Sequence, residues 1–312
     1  MHALVAFLLN PAAISLGALI LAIVWMLRDE SDRTRPLLVI ALVVNLFYGF
    51  LLQYVMGSEN GLVPWKYDFV LARLDGALGI AAARIAPALQ GLVRVPLLVV
   101  YQLMVPMMIA WFAIARRYGV SAALVLAYIT EMLTGPLLYA FLPACGPVYA
   151  FRGQWLHPPA VQPVAIRLSG MPNAFPSLHL GTALVFVLFS GGRVSRAWSV
   201  VFLVATALAT IATGEHYAID LVAGLAFGCF ASNAGRRRLF PALLWLSAVL
   251  AWSAGVRWAS GFLIRNPDWL RLFAVVTVAG AVLAVILEWR ANWRPAISPA
   301  IQAAAVSVDG SE

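Results

Sequence analysis

Two stretches of the 312-residue chain carry side chains suited to phosphoryl chemistry. One is Phe175-Pro176-Ser177-Leu178-His179; the other is Gly214-Glu215-His216-Tyr217-Ala218-Ile219-Asp220, followed by Gly224. His216 and Asp220 are four residues apart, which stacks them on one face of a helix. A carboxylate there can hold an imidazole in one tautomer and stabilise its cation. A neutral, oriented imidazole is in turn a good nucleophile toward phosphorus. His179 falls in the first turn of a helix, where backbone N–H groups and the helix dipole favour an anion. Kept protonated by a nearby phosphate, it could donate a proton to a leaving oxygen. Two histidines and one carboxylate thus supply nucleophile, orienter and acid, with no metal or other cofactor. Read singly, each histidine fits an interfacial or hydrogen-bonding role equally well. Asp220 does not, because a carboxylate inside a span is costly and functional by default. As metal ligands, the two histidines with Asp220 and Glu215 match no familiar spacing.

The elements that must position these groups belong to a membrane. The chain is 63% hydrophobic and only 11% charged, where a soluble domain is about half apolar and about a quarter charged. Its apolar runs are roughly 20 residues long, the length that crosses about 30 Å of hydrocarbon. About nine spans follow: Val5–Leu27, Pro36–Met56, Val93–Ala115, Ser121–Leu142, Pro176–Ser190, Ala197–Thr213, His216–Ser232, Leu239–Ile264 and Leu272–Trp289. The first lacks a basic leader and is kept as a helix rather than a signal sequence. The fifth and seventh are short, which suggests that they begin inside a polar cavity. Gly224 and Gly228 on the seventh form a G-x-x-x-G, read as close helix packing. Residues 295–312 are small and polar, and are expected to be disordered.

The net charge of +8 is almost all arginine, Lys66 being the single lysine, in short clusters between apolar runs. Such charge orients a membrane protein and excludes a nucleic-acid-binding surface. Alternating sides place Arg28, Arg33, Arg35, Arg116, Arg117, Arg193, Arg196, Arg236, Arg237, Arg238, Arg290 and Arg294 together in short, cytoplasmic connections. Both histidine motifs then lie at the opposite, outward ends of their helices, an even number of crossings apart. Cys145 falls in a loop and Cys229 deep in a span, so no disulfide joins them. Arginine-rich, alanine-rich usage suggests a GC-rich bacterial genome and hence a multi-pass protein of the cytoplasmic membrane.

Two connections are more than loops. Trp65 to Gln90 alternates Phe69, Leu71, Leu74, Leu78, Ile80 and Ile85 with Lys66, Asp68, Arg73, Asp75 and Arg84, as an amphipathic helix lying in the interface would. Its Asp75-Gly76 matches only a fragment of the aspartate motif of CDP-alcohol phosphotransferases; the Ala-Arg and two later aspartates are missing. Pro143 to Phe175 contains six prolines, which predicts a structured, non-helical cap over the bundle.

Pro176-Ser177-x-His179 and His216-Tyr217-x-x-Asp220-x-x-x-Gly224 resemble the second and third signature motifs of the type 2 phosphatidic acid phosphatase superfamily. Phe-Pro-Ser-Leu-His, His-Tyr, and the run from Gly135-Pro136 to Pro143-Ala144-Cys145-Gly146-Pro147 look like its inositol phosphorylceramide synthase and sphingomyelin synthase branch. The resemblance implies an all-α integral membrane fold: a six-helix core within 36–232, an additional helix in 1–35, two more in 233–294, and the tail 295–312. It further implies that His216 attacks the phosphorus of a lipid phosphoester to form a phosphohistidine. Asp220 would orient His216, His179 would protonate the leaving group, and an alcohol or water would complete turnover. As members of the motifs, Ser177 and Tyr217 become candidates for substrate binding. The phosphatases' first motif has no clear counterpart, and Thr210 stands where their third motif places an arginine. Both departures suit a phosphodiester substrate, which carries less charge than a monoester.

Arg152 and Arg167 in the cap, with Lys66 behind them, are candidate phosphate-binding cations. Glu131, within the fourth span, could bind a substrate hydroxyl, share a proton with a histidine, or bond another helix. The expected partners are a phospholipid, an alcohol or water acceptor, and the bilayer. The rival expectation is a lipid or ion transporter using His179, His216 and Asp220 as a proton or anion site. Against it, the chain shows no inverted repeat.

Overall fold

The structure, a computed structural model, describes residues 34–50, 65–80, 86–87, 89, 96–97, 99–100, 103–151, 166–167 and 173–291. The expected first span, the tail, Arg84 and Arg152 lie outside these residues. Ten helices and one two-stranded sheet are ordered along the described chain: α1 Arg35–Phe50, β1 Trp65–Lys66, α2 Asp68–Leu78, α3 Met104–Arg117, α4 Ser121–Phe141, α5 Pro147–Phe151, β2 Ile166–Arg167, α6 Leu178–Leu188, α7 Arg193–Thr213, α8 Ala218–Gly235, α9 Leu239–Arg265 and α10 Pro267–Ala291.

Five of these, α4, α7, α8, α9 and α10, are long and apolar enough to cross a membrane, and α1 and α6 are shorter apolar helices. The protein is therefore an all-α membrane protein. The expected total of nine spans extends beyond the described residues.

Burial sorts the bundle. α8 lies at its centre, packed against α2, α4, α6, α9 and α10. Exposed leucine, valine, phenylalanine and tryptophan side chains cover α9 and α10, including Phe240, Leu244, Trp258, Val275 and Leu283, as expected where lipid is the solvent. In α6, by contrast, every residue except His179 is buried. Its 11 residues reach only about 16 Å, so it begins inside the bundle.

α6 and α8 cross at glycines. A Cβ on Gly224 would meet the Ser177 carbonyl oxygen at 2.6 Å, and one on Gly228 would meet that of Gly181 at 2.5 Å. Both distances are below any tolerable contact, so the G-x-x-x-G is a packing device, and it sets His179 beside the start of α8.

Two expectations need correction. The connection from Trp65 does form a helix, α2, but its polar side does not face solvent. Asp68 and Asp75 are buried, as is Lys66 on β1, while Arg73 is exposed. Backbone N–H groups of the Cys145-Gly146 loop donate to Asp68 and those at the start of α8 donate to Asp75, which makes their burial tolerable. The cap, for its part, is not wholly non-helical. Pro147 opens the short helix α5, where a missing N–H costs nothing. β2 pairs antiparallel with β1, Trp65 opposite Arg167 and Lys66 opposite Ile166, tying the cap to the start of α2.

Candidate active site

α7 ends at Gly214, which has a φ of 74° and caps the helix in the left-handed conformation. Glu215 and His216 form the turn, Tyr217 is the N-cap of α8, and Asp220 sits in its first turn. His216 thus precedes the helix rather than riding on its face, a correction to the expectation from spacing. The ring still meets Asp220, Nδ1 lying 3.5 Å from Oδ2. Its hydrogen bond goes elsewhere: Nδ1 is 2.9 Å from the carbonyl oxygen of Ala174.

That partner decides the tautomer. A carbonyl only accepts, so Nδ1 carries the hydrogen and Nε2 keeps its lone pair. Burial pushes the imidazole pKa down to about 4, against smaller upward pulls from Glu215 and the Ala174 carbonyl. The ring is therefore neutral at pH 7. Nε2 has no hydrogen-bond partner among the described residues.

His179 stands opposite. The two imidazole centroids are 5.8 Å apart with planes inclined by 65°, a gap that a single phosphate group can bridge. Ser177 N-caps α6, its Oγ accepting from the Leu180 N–H at 3.3 Å. The Ser177 N–H donates to the Asp220 carbonyl at 3.1 Å, which ties the first turns of α6 and α8 together. Asp220 Oδ2 accepts from the Tyr217 N–H at 2.9 Å, and its Oδ1 is buried without a hydrogen-bond partner among the described residues.

Sequence reasoning missed what braces this arrangement. Asp75 of α2 accepts from the N–H groups of Ala218 at 2.7 Å and Ile219 at 3.0 Å, capping α8 from outside. Asp68, two turns earlier, accepts from Gly146 N–H at 2.9 Å, Cys145 N–H at 3.1 Å and the Tyr217 hydroxyl at 3.0 Å. Burial raises the pKa of both carboxyls, and these donors pull it back. Gly146 itself has a φ of 90°, and a Cβ there would strike the Glu215 carbonyl oxygen at 2.3 Å. The seven-residue spacing of Asp68 and Asp75 was the available signal, since it places both on one side of a helix.

The remaining candidates are dispersed. Tyr217 and Ser177 are buried, their hydroxyls engaged with Asp68 and the Leu180 N–H. Lys66 is buried within electrostatic reach of Asp68 and Cys145; burial lowers its pKa and those two groups raise it. Glu131 is buried on α4 and accepts from the Thr182 hydroxyl at 2.8 Å, three residues along α6 from His179. Arg167 is described only through its backbone pairing. Glu215 Oε1 accepts from the Tyr149 hydroxyl at 2.9 Å. Among the described residues no three His, Cys, Asp or Glu side chains are grouped as metal ligands.

A model of the PAP2 superfamily matches residues 70–234, more than half of the chain. The chain belongs to the PAP2 superfamily. Members of the superfamily are typically phosphatases or phosphotransferases, and the match takes in Asp75, His179, His216 and Asp220. It leaves out α9 and α10, so the PAP2 unit ends with the central helix and the two lipid-facing helices are additional. No curated protein and no solved structure matches the chain.

Proposed function

We propose that the protein moves a phosphorylated headgroup from a lipid phosphoester to an alcohol or water through a phosphohistidine on His216. The observation that carries this reading is the pair of imidazoles 5.8 Å apart, with the His216 tautomer fixed through Nδ1. The Nε2 lone pair attacks phosphorus as the bond to the leaving oxygen breaks, and His179 gives that oxygen its proton. The incoming hydroxyl then loses its proton to His179 while its oxygen attacks phosphorus and the P–N bond breaks. Asp220 and the Ala174 carbonyl hold the positive charge that develops on His216. Arg152, Arg167 and Lys66 remain candidate phosphate-binding cations.

We assign the chain to the inositol phosphorylceramide synthase and sphingomyelin synthase branch, on the strength of Phe-Pro-Ser-Leu-His and the absence of an arginine at Thr210. Arg116, Arg117, Arg193, Arg236, Arg237 and Arg238 cluster at the end of the bundle opposite the histidines. The tendency of such clusters to stay in the cytoplasm supports an active site facing outward across the cell membrane.

The test is headgroup release from a labelled phospholipid in detergent. His216→Ala should abolish it, and brief reaction of the native protein with a ³²P-labelled donor should leave an acid-labile, alkali-stable label absent from the variant. Release at the native rate from His216→Ala would refute the mechanism and favour a transporter.

A further inference from the structure

Between α1, α3 and α4 lies a partly open apolar cavity. Its described wall is made of apolar side chains such as Ala41, Ile109 and Ile129, with Asn45 and Tyr128 the two hydrogen-bonding side chains among them, and no charged residue lines it among the described residues. Tyr128 is 7% exposed, and its hydroxyl is buried without a hydrogen-bond partner among the described residues. An unmet hydroxyl in a hydrocarbon setting is costly, and apolar walls around a void forfeit dispersion contacts. A ligand that is mostly hydrocarbon but carries an oxygen would relieve both penalties.

The cavity neighbours the helix that carries His179. The Tyr128 ring packs edge-on against Phe186, with centroids 6.3 Å apart. Phe186 is seven residues beyond His179 on α6, about 10 Å deeper along the helix axis. Between them, Glu131 of α4 binds Thr182 of α6. One wall of the cavity thus forms part of the framework that carries His179, at a depth a fatty chain reaches when its headgroup phosphate lies between the imidazoles.

We propose that this cavity holds the apolar tail of the lipid that reacts at His216, and that the Tyr128 hydroxyl donates to an amide, ester or hydroxyl oxygen in that tail. The inference rests on the catalytic reading above and adds a tail-selecting site to it.

Two measurements test it. The first compares a long-chain lipid phosphoester with a water-soluble analogue bearing a four-carbon tail. Filling the cavity with Ala41→Trp or Ile109→Trp should lower the ratio of their kcat/KM values about tenfold or more. Tyr128→Phe should reduce the preference for an oxygen-bearing tail over a plain alkyl tail by roughly two- to tenfold. A native ratio in a tryptophan variant that keeps its melting temperature overturns the proposal. The second measurement is photolabelling with a long-chain phospholipid carrying a diazirine in its tail, which does not depend on turnover. Adducts should map to α1, α3 and α4 and be lost in Ala41→Trp; adducts elsewhere, or undiminished in the variant, overturn the proposal. If the native protein cleaves neither substrate, the catalytic reading falls, while the labelling still decides whether a tail sits in the cavity.

Discussion

The N-terminal end of α8 meets carboxylates: Asp75 accepts from Ala218 and Ile219, and Asp220 from Tyr217. The C-terminal end of the same helix meets guanidiniums. Arg236 donates to the Leu188 carbonyl at 2.9 Å, stacks over Phe189 at 4.1 Å and pairs with Glu288, which Arg238 also grips. Nearby, Arg196 donates to the Trp289 carbonyl at 3.1 Å. Both ends obey the helix dipole, with anions at N–H groups and cations at carbonyls. Both ends leave buried polar atoms without a hydrogen bond among the described residues, Arg236 Nε and Glu288 Oε2 at the C-terminal end, but the two ends differ in the chemistry of their groups. At the arginine end each guanidinium ties one helix to another. At the histidine end the same economy leaves the Nε2 of His216 and Oδ1 of Asp220 without partners among the described residues. One helix therefore carries a clamp at one end and a reactive turn at the other, so stability and turnover should respond to different substitutions.

The sharpest way to break this contrast is a pair of variants. His179→Ala should lower turnover by about 10² to 10⁴-fold, the loss expected of a general acid, with little change in melting temperature. Arg236→Ala should do the reverse, costing about 3 kcal/mol because Glu288 loses one of its two partners in a largely buried site, while kcat in the folded fraction holds. Thermal unfolding and headgroup release on both proteins decide it. If His179→Ala melts the protein and Arg236→Ala silences it, the division between the two ends is wrong.

Gly224→Ala comes next. Its new Cβ would press on the Ser177 carbonyl, so α6 must shift away from α8 and carry His179 with it. A displacement of about 1 Å in a reacting group costs on the order of 100-fold in rate, and overpacking adds about 1–3 kcal/mol of instability. The stated ring separation gives a direct check, because crosslinking or spectroscopic distances between the two histidine positions should lengthen.

How much of this was visible beforehand depends on what each residue does. The meeting of His179, His216 and Asp220 was legible because their residue types and their places at helix starts can be read directly from the sequence. The crossing glycines were legible for a similar reason, since small residues four apart have few other uses in a span. The bond from His216 to Ala174 was not, because a backbone carbonyl leaves no trace in residue type. Asp68 and Asp75 were visible but misread. Charges alternating with leucines look the same whether they face headgroups or reach inward to orphan N–H groups, and only the tertiary partners distinguish the two. Glu131 was placed on the right helix, and its Oε2 accepts from Thr182 of α6.

Asp75→Ala probes the misread element. It removes an external cap on α8, so about 1–2 kcal/mol of stability should be lost, with a rate loss of roughly tenfold as the His216 turn loosens. Asp75→Asn should recover part of the stability, since a side-chain oxygen can still accept from Ala218 or Ile219. If both variants match the native protein in melting and rate, α2 is a passive interfacial helix after all.

The smallest effect concerns pH. His216 must be neutral to attack, and burial lowers its pKa from the ordinary histidine value of 6.5 to about 4. Between those two values an exposed histidine would be losing its lone pair to a proton, whereas His216 keeps it. The acid limb of kcat/KM, which reports the free enzyme, should therefore fall near pH 4. Glu215 sharpens the point. Its negative charge favours the imidazolium, so Glu215→Gln should move the limb to still lower pH. Burial, however, raises the pKa of Glu215 itself, so this carboxyl is largely protonated where His216 titrates and has little charge left to remove. The expected displacement is about half a pH unit or less. A limb near 6.5 in the native protein would mean that water reaches the His216 ring, and the buried, neutral nucleophile would have to be abandoned.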